Sequence, residues 1–268
     1  MKVFTNCHIE GVPITAGGGA SLGHGLPGFQ KFIEDSHIVV SEYLGVSIGS
    51  IWATCAANGK SWEESAEILI EMTNPSLFMC LRMLWPSANP FRNVGFLDMV
   101  PHLEDICARH KLRWQDNLTL LGSDGLWPCL FQSPSAKRRH YAGADVVVSA
   151  SLPKAMATSC CVPFGFRPTI NFFRPGLPLV FDGGLSHPHP GSFWSHPAII
   201  AKLLSSSFLD WRFPDRSCDF VTKVGHPGKN AMQMATKGDR KEMFDYGYRA
   251  AKHDLLPMID QGLIPVKR

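Results

Sequence analysis

Long apolar runs are missing from this chain of 268 residues. None reaches the eighteen or so consecutive residues that a membrane-spanning helix needs. The first eight residues also lack the apolar stretch of a secretory leader, so the sequence predicts cytoplasmic synthesis without signal peptide or transmembrane segment. No internal repeat or low-complexity linker interrupts the chain, and its length predicts a single domain over residues 1–268.

Charge is also scarce. Only 18% of the residues are charged, and the net charge is +3. A charge this small and this evenly spread predicts no nucleic-acid partner, and no segment predicts a protein partner. The one basic cluster, residues 137–140, is typical of a solvated turn, with contact to anionic lipid headgroups as the alternative.

Patterns that ligate metals or form disulfide frameworks are absent. The eight cysteines include no C-x-x-C pair, which favours reduced, buried thiols. The nearest approach to a metal-binding cluster is His187, His189 and His196. Prolines beside these histidines restrict helical spacing, and no paired carboxylate–histidine motif accompanies them, so we expect no metal site.

Among the features that are present, the first is Gly45-Val46-Ser47-Ile48-Gly49. An apolar β-branched run from Ile38 leads into it, and a small-residue segment at helical spacing follows it as far as Asn58-Gly59. The serine is therefore predicted at a strand-to-helix elbow, where Gly45 and Gly49 avoid collisions with neighbouring backbone. An ordinary Gly/Ser-rich turn is the alternative.

A second feature is the glycine-rich loop Gly17-Gly18-Gly19, between a short strand near 12–16 and a helix predicted over 26–34. Such a loop exposes backbone N–H groups that hold either a phosphate or the oxyanion of a tetrahedral intermediate. A dinucleotide site would use Glu34 or Glu42 for the ribose, but the third glycine comes one residue late and the serine elbow stays unexplained. A Walker A loop lacks its Lys-Ser/Thr.

The third feature is Asp182-Gly183-Gly184, at the end of the apolar run 177–181. A strand that delivers an aspartate to a partly buried site can provide a base for a serine hydroxyl without a histidine. The alternative is a surface turn between two strands.

Together these three motifs, in this order, resemble the patatin-like phospholipases. The stretches 155–168 and 244–251 are also similar to segments of that family, whereas 75–145 match poorly. The alternation of strand and helix signals predicts the fold class that the resemblance implies: α/β, with a mostly parallel central sheet and helices on both faces.

The resemblance implies a lipid acyl hydrolase with Ser47 as nucleophile, Asp182 as base, and Gly17, Gly18 and Gly19 as the oxyanion hole. It implies no metal and no organic cofactor, a phospholipid or other acyl lipid as substrate, and transient contact with a membrane surface.

Three other functions remain open at this point. An acyltransferase would use the same acylated serine, and an α/β-hydrolase would add His226 or His253 as a third catalytic residue. A weakly active lipid-binding protein is the third, because Ser21-Leu22 stands where the family usually has Arg or Lys.

The segment 75–97 is unusually apolar and aromatic, and includes Trp85 and Phe91. It predicts buried core, with a rim that meets lipid aggregates as the alternative.

Overall fold

The computed structural model describes residues 11–73, 98–124, 127–136, 146–161, 169–170, 179–187, 190–204, 215–230 and 235–267. Nine strands lie in these ranges: β1 Val12–Ala16, β2 Val40–Val46, β3 Leu118–Asp124, β4 Trp127–Gln132, β5 Val146–Ser149, β6 Thr169–Ile170, β7 Leu179–Asp182, β8 Ile199–Lys202 and β9 Phe220–Lys223. The α-helices there are α1 Leu26–Asp35, α2 Ile48–Ala57, α3 Trp62–Thr73, α4 Val100–His110, α5 Leu152–Ser159 and α6 Lys237–Asp260. Short 3-10 helices cover Ala20–Gly25, Gly183–Leu185 and Pro190–Phe193.

The strands form one sheet in the order β5-β4-β3-β2-β1-β8-β9, with β7 added beside β3 and β6 beside β7. Pairing is parallel between β1 and β2, β1 and β8, β2 and β3, β4 and β5, and β8 and β9. It is antiparallel where β4 and β7 join β3 and where β6 joins β7. The carboxyl ends of β1, β2 and β8 therefore share one edge of the sheet.

Both faces of the sheet are packed. Alternate side chains of β2, β3, β4, β8 and β9 belong to two buried clusters, because successive residues of a strand point to opposite faces. The larger cluster includes the apolar faces of all six α-helices. The smaller cluster lies against Phe193 and Trp194, at the end of the 3-10 helix Pro190–Phe193. The expected α/β class, with a mostly parallel central sheet, is confirmed.

Local contacts explain where two of the elements begin. Helix α3 begins after a reciprocal pair in which Glu64 N–H donates to Ser61 Oγ and Ser61 N–H donates to the Glu64 carboxylate. Strand β2 begins at Val40, later than expected, because Ile38 forms an isolated antiparallel bridge with Val266 near the C-terminus.

Some expectations lie outside the described residues, namely those for the segment 75–97 and for the basic cluster 137–140. The described cysteines are all free; Cys218 is half-buried, and the others are buried. Within the described ranges, no helix combines the length and apolarity needed to cross a membrane.

Candidate active site

Ser47 occupies a sharp turn between β2 and α2. Its φ is 54° and its ψ is −128°, a backbone conformation that residues with a side chain rarely adopt. The side chain is only 9% exposed. The predicted strand-to-helix elbow is therefore present, with the serine at its apex and α2 beginning at the next residue.

The two glycines of the elbow are required by close contacts of backbone with backbone. A Cβ at Gly45 would overlap the Cα of Ser50, and it would lie 2.6 Å from the Gly49 carbonyl oxygen. A Cβ at Gly49 would overlap the Ala16 carbonyl oxygen and lie 2.6 Å from that of Gly17. The first turn of α2 thus packs directly on the loop that follows β1, and no side chain separates them.

The glycine-rich loop lies against the serine. A Cβ at Gly18 would be 3.1 Å from the Ser47 Cβ, so Gly18 lies directly beside the nucleophile candidate. Gly17 differs from its neighbours, because its N–H donates to the Ala201 carbonyl at 3.0 Å and extends the pairing of β1 with β8. Of the three N–H groups predicted to hold an oxyanion, those of Gly18 and Gly19 have no protein partner in the part of the chain that the structure describes.

Asp182 lies at the end of β7, beside Ser47. Strand β7 pairs with the last residues of β3, and Asp182 is opposite Gly122, one residue beyond the pair of Leu121 with Val46. The carboxylate accepts hydrogen bonds from the Ser47 hydroxyl and, at 2.7 Å, from the N–H of Gly184. The structure therefore brings together the two side chains that the motifs predicted.

Burial changes the acidity of Asp182. The carboxyl group is 6% exposed, and the loss of water raises its pKa to about 6, although the hydrogen bonds from Ser47 and Gly184 act in the opposite direction. An aspartate with this pKa is ionised at neutral pH and is a stronger base than an aspartate in water.

Two contacts at this site involve residues that no motif pointed out. The N–H of Ser47 donates to Ser159 Oγ at 3.0 Å, and the N–H of Asp182 donates to the Cys161 carbonyl at 2.8 Å. Ser159 is the last residue of α5, and Cys161 lies two residues beyond it. The sequence offered only one signal, the likeness of residues 155–168 to a segment of the patatin-like family.

The other residues considered from the sequence lie apart from this pair. The described partners of the Asp182 carboxylate include no histidine. His253 is on the exposed surface of α6, paired with Asp254, and His226 packs on Tyr246. These positions do not support a serine–histidine–aspartate triad.

The dinucleotide and metal alternatives gain no support either. Glu34 lies near the C-terminal end of α1, the end of that helix away from the glycine loop, and accepts from Gln30 Nε2 at 2.8 Å. Within the described residues, no three His, Cys, Asp or Glu side chains are placed to hold a metal ion. Ser21, at the position where patatin-like phospholipases usually have Arg or Lys, donates its hydroxyl to the Asn230 carbonyl at 2.9 Å.

Comparison with known proteins finds likeness in structure only. No protein-family model matches the chain, and no curated protein matches it in sequence. The chain is similar to VipD from Legionella pneumophila, with a TM-score of 0.53 and 9% identity over 92% of this chain and 67% of VipD. It is also similar to the heterodimeric complex ExoU-SpcU from the type III secretion system of Pseudomonas aeruginosa, with a TM-score of 0.52 and 12% identity over 94% of this chain and 52% of that chain.

This chain thus spans about two thirds of the first neighbour and about half of the second. Identities this low show the fold alone, and they confirm that the chain has the patatin-like α/β fold.

Proposed function

We propose that the chain is a lipid acyl hydrolase in which Ser47 attacks the ester and Asp182 accepts its proton. One observation carries the proposal. A serine at a strained elbow donates its hydroxyl to a buried carboxylate, while a glycine loop lies against its other side.

The state of Asp182 supports its role as base. With a pKa near 6, the carboxylate is ionised at pH 7 and still basic enough to take the hydroxyl proton as the Ser47 oxygen attacks the carbonyl carbon. Its bond to the Gly184 N–H keeps the carboxylate oriented, so that no histidine is needed between acid and serine.

The oxyanion forms where backbone donors are available. In this proposal the N–H groups of Gly18 and Gly19 donate to the oxyanion, and Gly18 lies beside Ser47. Helix α2 begins at Ile48, so its positive N-terminal end also stabilises negative charge at the reacting carbonyl.

The reaction then proceeds in two steps, acylation of Ser47 and hydrolysis of the acyl-enzyme. The tetrahedral intermediate collapses, the alcohol of the ester leaves with the proton held by Asp182, and the acyl group stays on Ser47 Oγ. A water molecule attacks this acyl-enzyme, gives its proton to Asp182, and releases the carboxylic acid together with the restored serine.

The acyl-lipid substrate class rests on the patatin-like fold and on three motifs that occur in the order found in patatin-like phospholipases. A direct test uses two substrates, a phospholipid in vesicles and a soluble short-chain ester. We expect both to be hydrolysed through Ser47, with fatty acid released from the vesicles. Hydrolysis of the short ester alone would contradict the assignment of a lipid substrate, but it would still agree with a serine esterase.

Labelling with a fluorophosphonate probe, followed by peptide mapping, tests the nucleophile. We expect the label on Ser47 in the wild-type chain and none in Ser47→Ala, with activity lower by about 10³-fold or more. Ser65→Ala is the matched control, because Ser65 is also buried and its hydroxyl has no partner among the described residues. Label on another serine, or full activity in Ser47→Ala, would overturn the proposal.

A further inference from the structure

A short hydrogen-bonded chain links the elbow to the centre of the sheet. The Ser47 N–H donates to Ser159 Oγ at 3.0 Å, and the Ser159 hydroxyl donates in turn to the Leu121 carbonyl at 2.6 Å. Ser159 is 0% exposed, so water cannot replace it in either bond. Leu121 is itself the strand partner of Val46, the residue before the nucleophile.

The backbone N–H of Ser47 needs a side-chain acceptor. Because Ser47 precedes the first turn of α2 and leaves the line of β2, its N–H has no place in either the helix or the sheet. A buried N–H without a partner is costly, and at φ 54° the backbone would relax unless the surroundings hold it. Ser159 supplies the missing acceptor.

The same turn holds the other member of the pair. The Cys161 carbonyl accepts from the Asp182 N–H at 2.8 Å, and Gly183 packs so closely on the Leu121 carbonyl that a Cβ there would overlap it. Residues 159–161 therefore accept hydrogen bonds from the backbone N–H groups of both Ser47 and Asp182.

We propose that Ser159 is a positioning residue for the reaction, and this rests on the proposed function of Ser47. It touches no substrate atom; it fixes the direction of the Ser47 side chain toward Asp182 through the Ser47 backbone. Removal of its hydroxyl should therefore slow the chemical step and leave substrate binding unchanged.

The test compares Ser159→Ala with the matched control Ser65→Ala, using a soluble short-chain ester. For Ser159→Ala we expect kcat to fall about 10- to 100-fold with KM within about twofold, because a buried donor loses its acceptor. The rate of fluorophosphonate labelling should fall by the same factor. Ser65→Ala should leave both rates within about twofold of wild type.

Rescue by Ser159→Thr separates positioning from packing. Threonine keeps the hydroxyl but adds a methyl group to a filled site, so this variant should melt at or below the temperature of Ser159→Ala and yet be more active. A packing role predicts the reverse, with activity following the melting temperature.

Amide hydrogen exchange gives a readout that needs no activity. Exchange of the peptide that covers residues 44–50 should rise in Ser159→Ala and stay unchanged in Ser65→Ala. If wild type labels at Ser47 but Ser159→Ala reacts and exchanges as wild type does, the positioning role is wrong while the proposed function stands. If wild-type Ser47 never labels, the proposed function itself fails.

Discussion

Two polar regions lie at opposite edges of the same strands, and each contains a carboxyl group whose pKa is raised by loss of water, although Asp182 is buried and Glu34 is exposed. At the carboxyl edge the group is Asp182, and at the amino edge it is Glu34. Glu34 lies beside a hollow of about 450 Å³, where Gln30 Nε2 donates to Glu34 at 2.8 Å and to the Lys60 carbonyl at 2.7 Å. Gln30 Oε1 in turn accepts from the Trp52 indole at 3.0 Å.

The difference between them is the partner of the acid. Glu34 is bonded to the Gln30 amide, which also bonds to Lys60 and Trp52. These bonds join α1 to the segment before α3, and among the described residues Glu34 contacts no nucleophile that it could activate. Asp182 is bonded to the hydroxyl of a serine held at a positive φ. A raised pKa alone therefore does not identify a catalytic base; the nucleophile that the carboxylate contacts does.

Neutralising each acid in turn gives the largest contrast. Asp182→Asn should lower ester hydrolysis by about 10³-fold or more, because an amide cannot accept the serine proton. Glu34→Gln should stay within about twofold. Initial rates on a short-chain ester measure both, with circular dichroism to show that each variant is folded. More than about a tenth of wild-type activity in Asp182→Asn would remove Asp182 from the role of base.

The pH profile sharpens the same contrast. The base must be ionised, so kcat/KM should rise with pH through about 6 and reach a plateau above it. Below this pH it should fall about tenfold per pH unit, since the ionised fraction falls by that factor. Glu34→Gln should leave the midpoint where it is. A wild-type profile that is flat from pH 4.5 to 8 would contradict the assignment.

The effect of Asp182→Asn on the free energy of unfolding should be the smallest of the three effects. It should also have the opposite sign, since the variant loses activity but gains stability. The folded-state pKa of Asp182 lies above the ordinary value of 3.8, so its contribution to stability is fully present below about pH 4 and is lost as the pH rises through about 6. Asp182→Asn, which has no charge to bury, should therefore gain stability relative to wild type by roughly 2–3 kcal/mol between pH 4 and 8. Urea unfolding at both pH values measures this gain, and a difference that does not change with pH would contradict it.

Local signals made much of this site predictable. The elbow and the aspartate turn are each contiguous in sequence, with a strand before a glycine-flanked polar residue, and the structure places Ser47 and Asp182 in contact. The chain order of three motifs also indicated the fold class. The elbow and the aspartate turn both need backbone close contacts that only glycine allows, and glycines are visible in a sequence.

Long-range pairing made the rest unpredictable. Ser159 is 112 positions from its partner Ser47, and a serine in a small-residue helix looks like any other. Gly17 looked equal to Gly18 and Gly19, but the pairing of β1 with β8 occupies its N–H. The antiparallel entry of β7 beside β3, which brings Asp182 to the serine, has no local signal either.

The packing of Gly49 on the carbonyl groups of Ala16 and Gly17 has one more consequence, for how many substitutions this part of the fold tolerates. The spacing between nucleophile and glycine loop is set by main-chain atoms, which every residue shares. Drift of the surrounding side chains therefore leaves that spacing intact, as long as a few glycines stay. The fold of this chain is similar to that of its structural neighbours at only 9–12% identity.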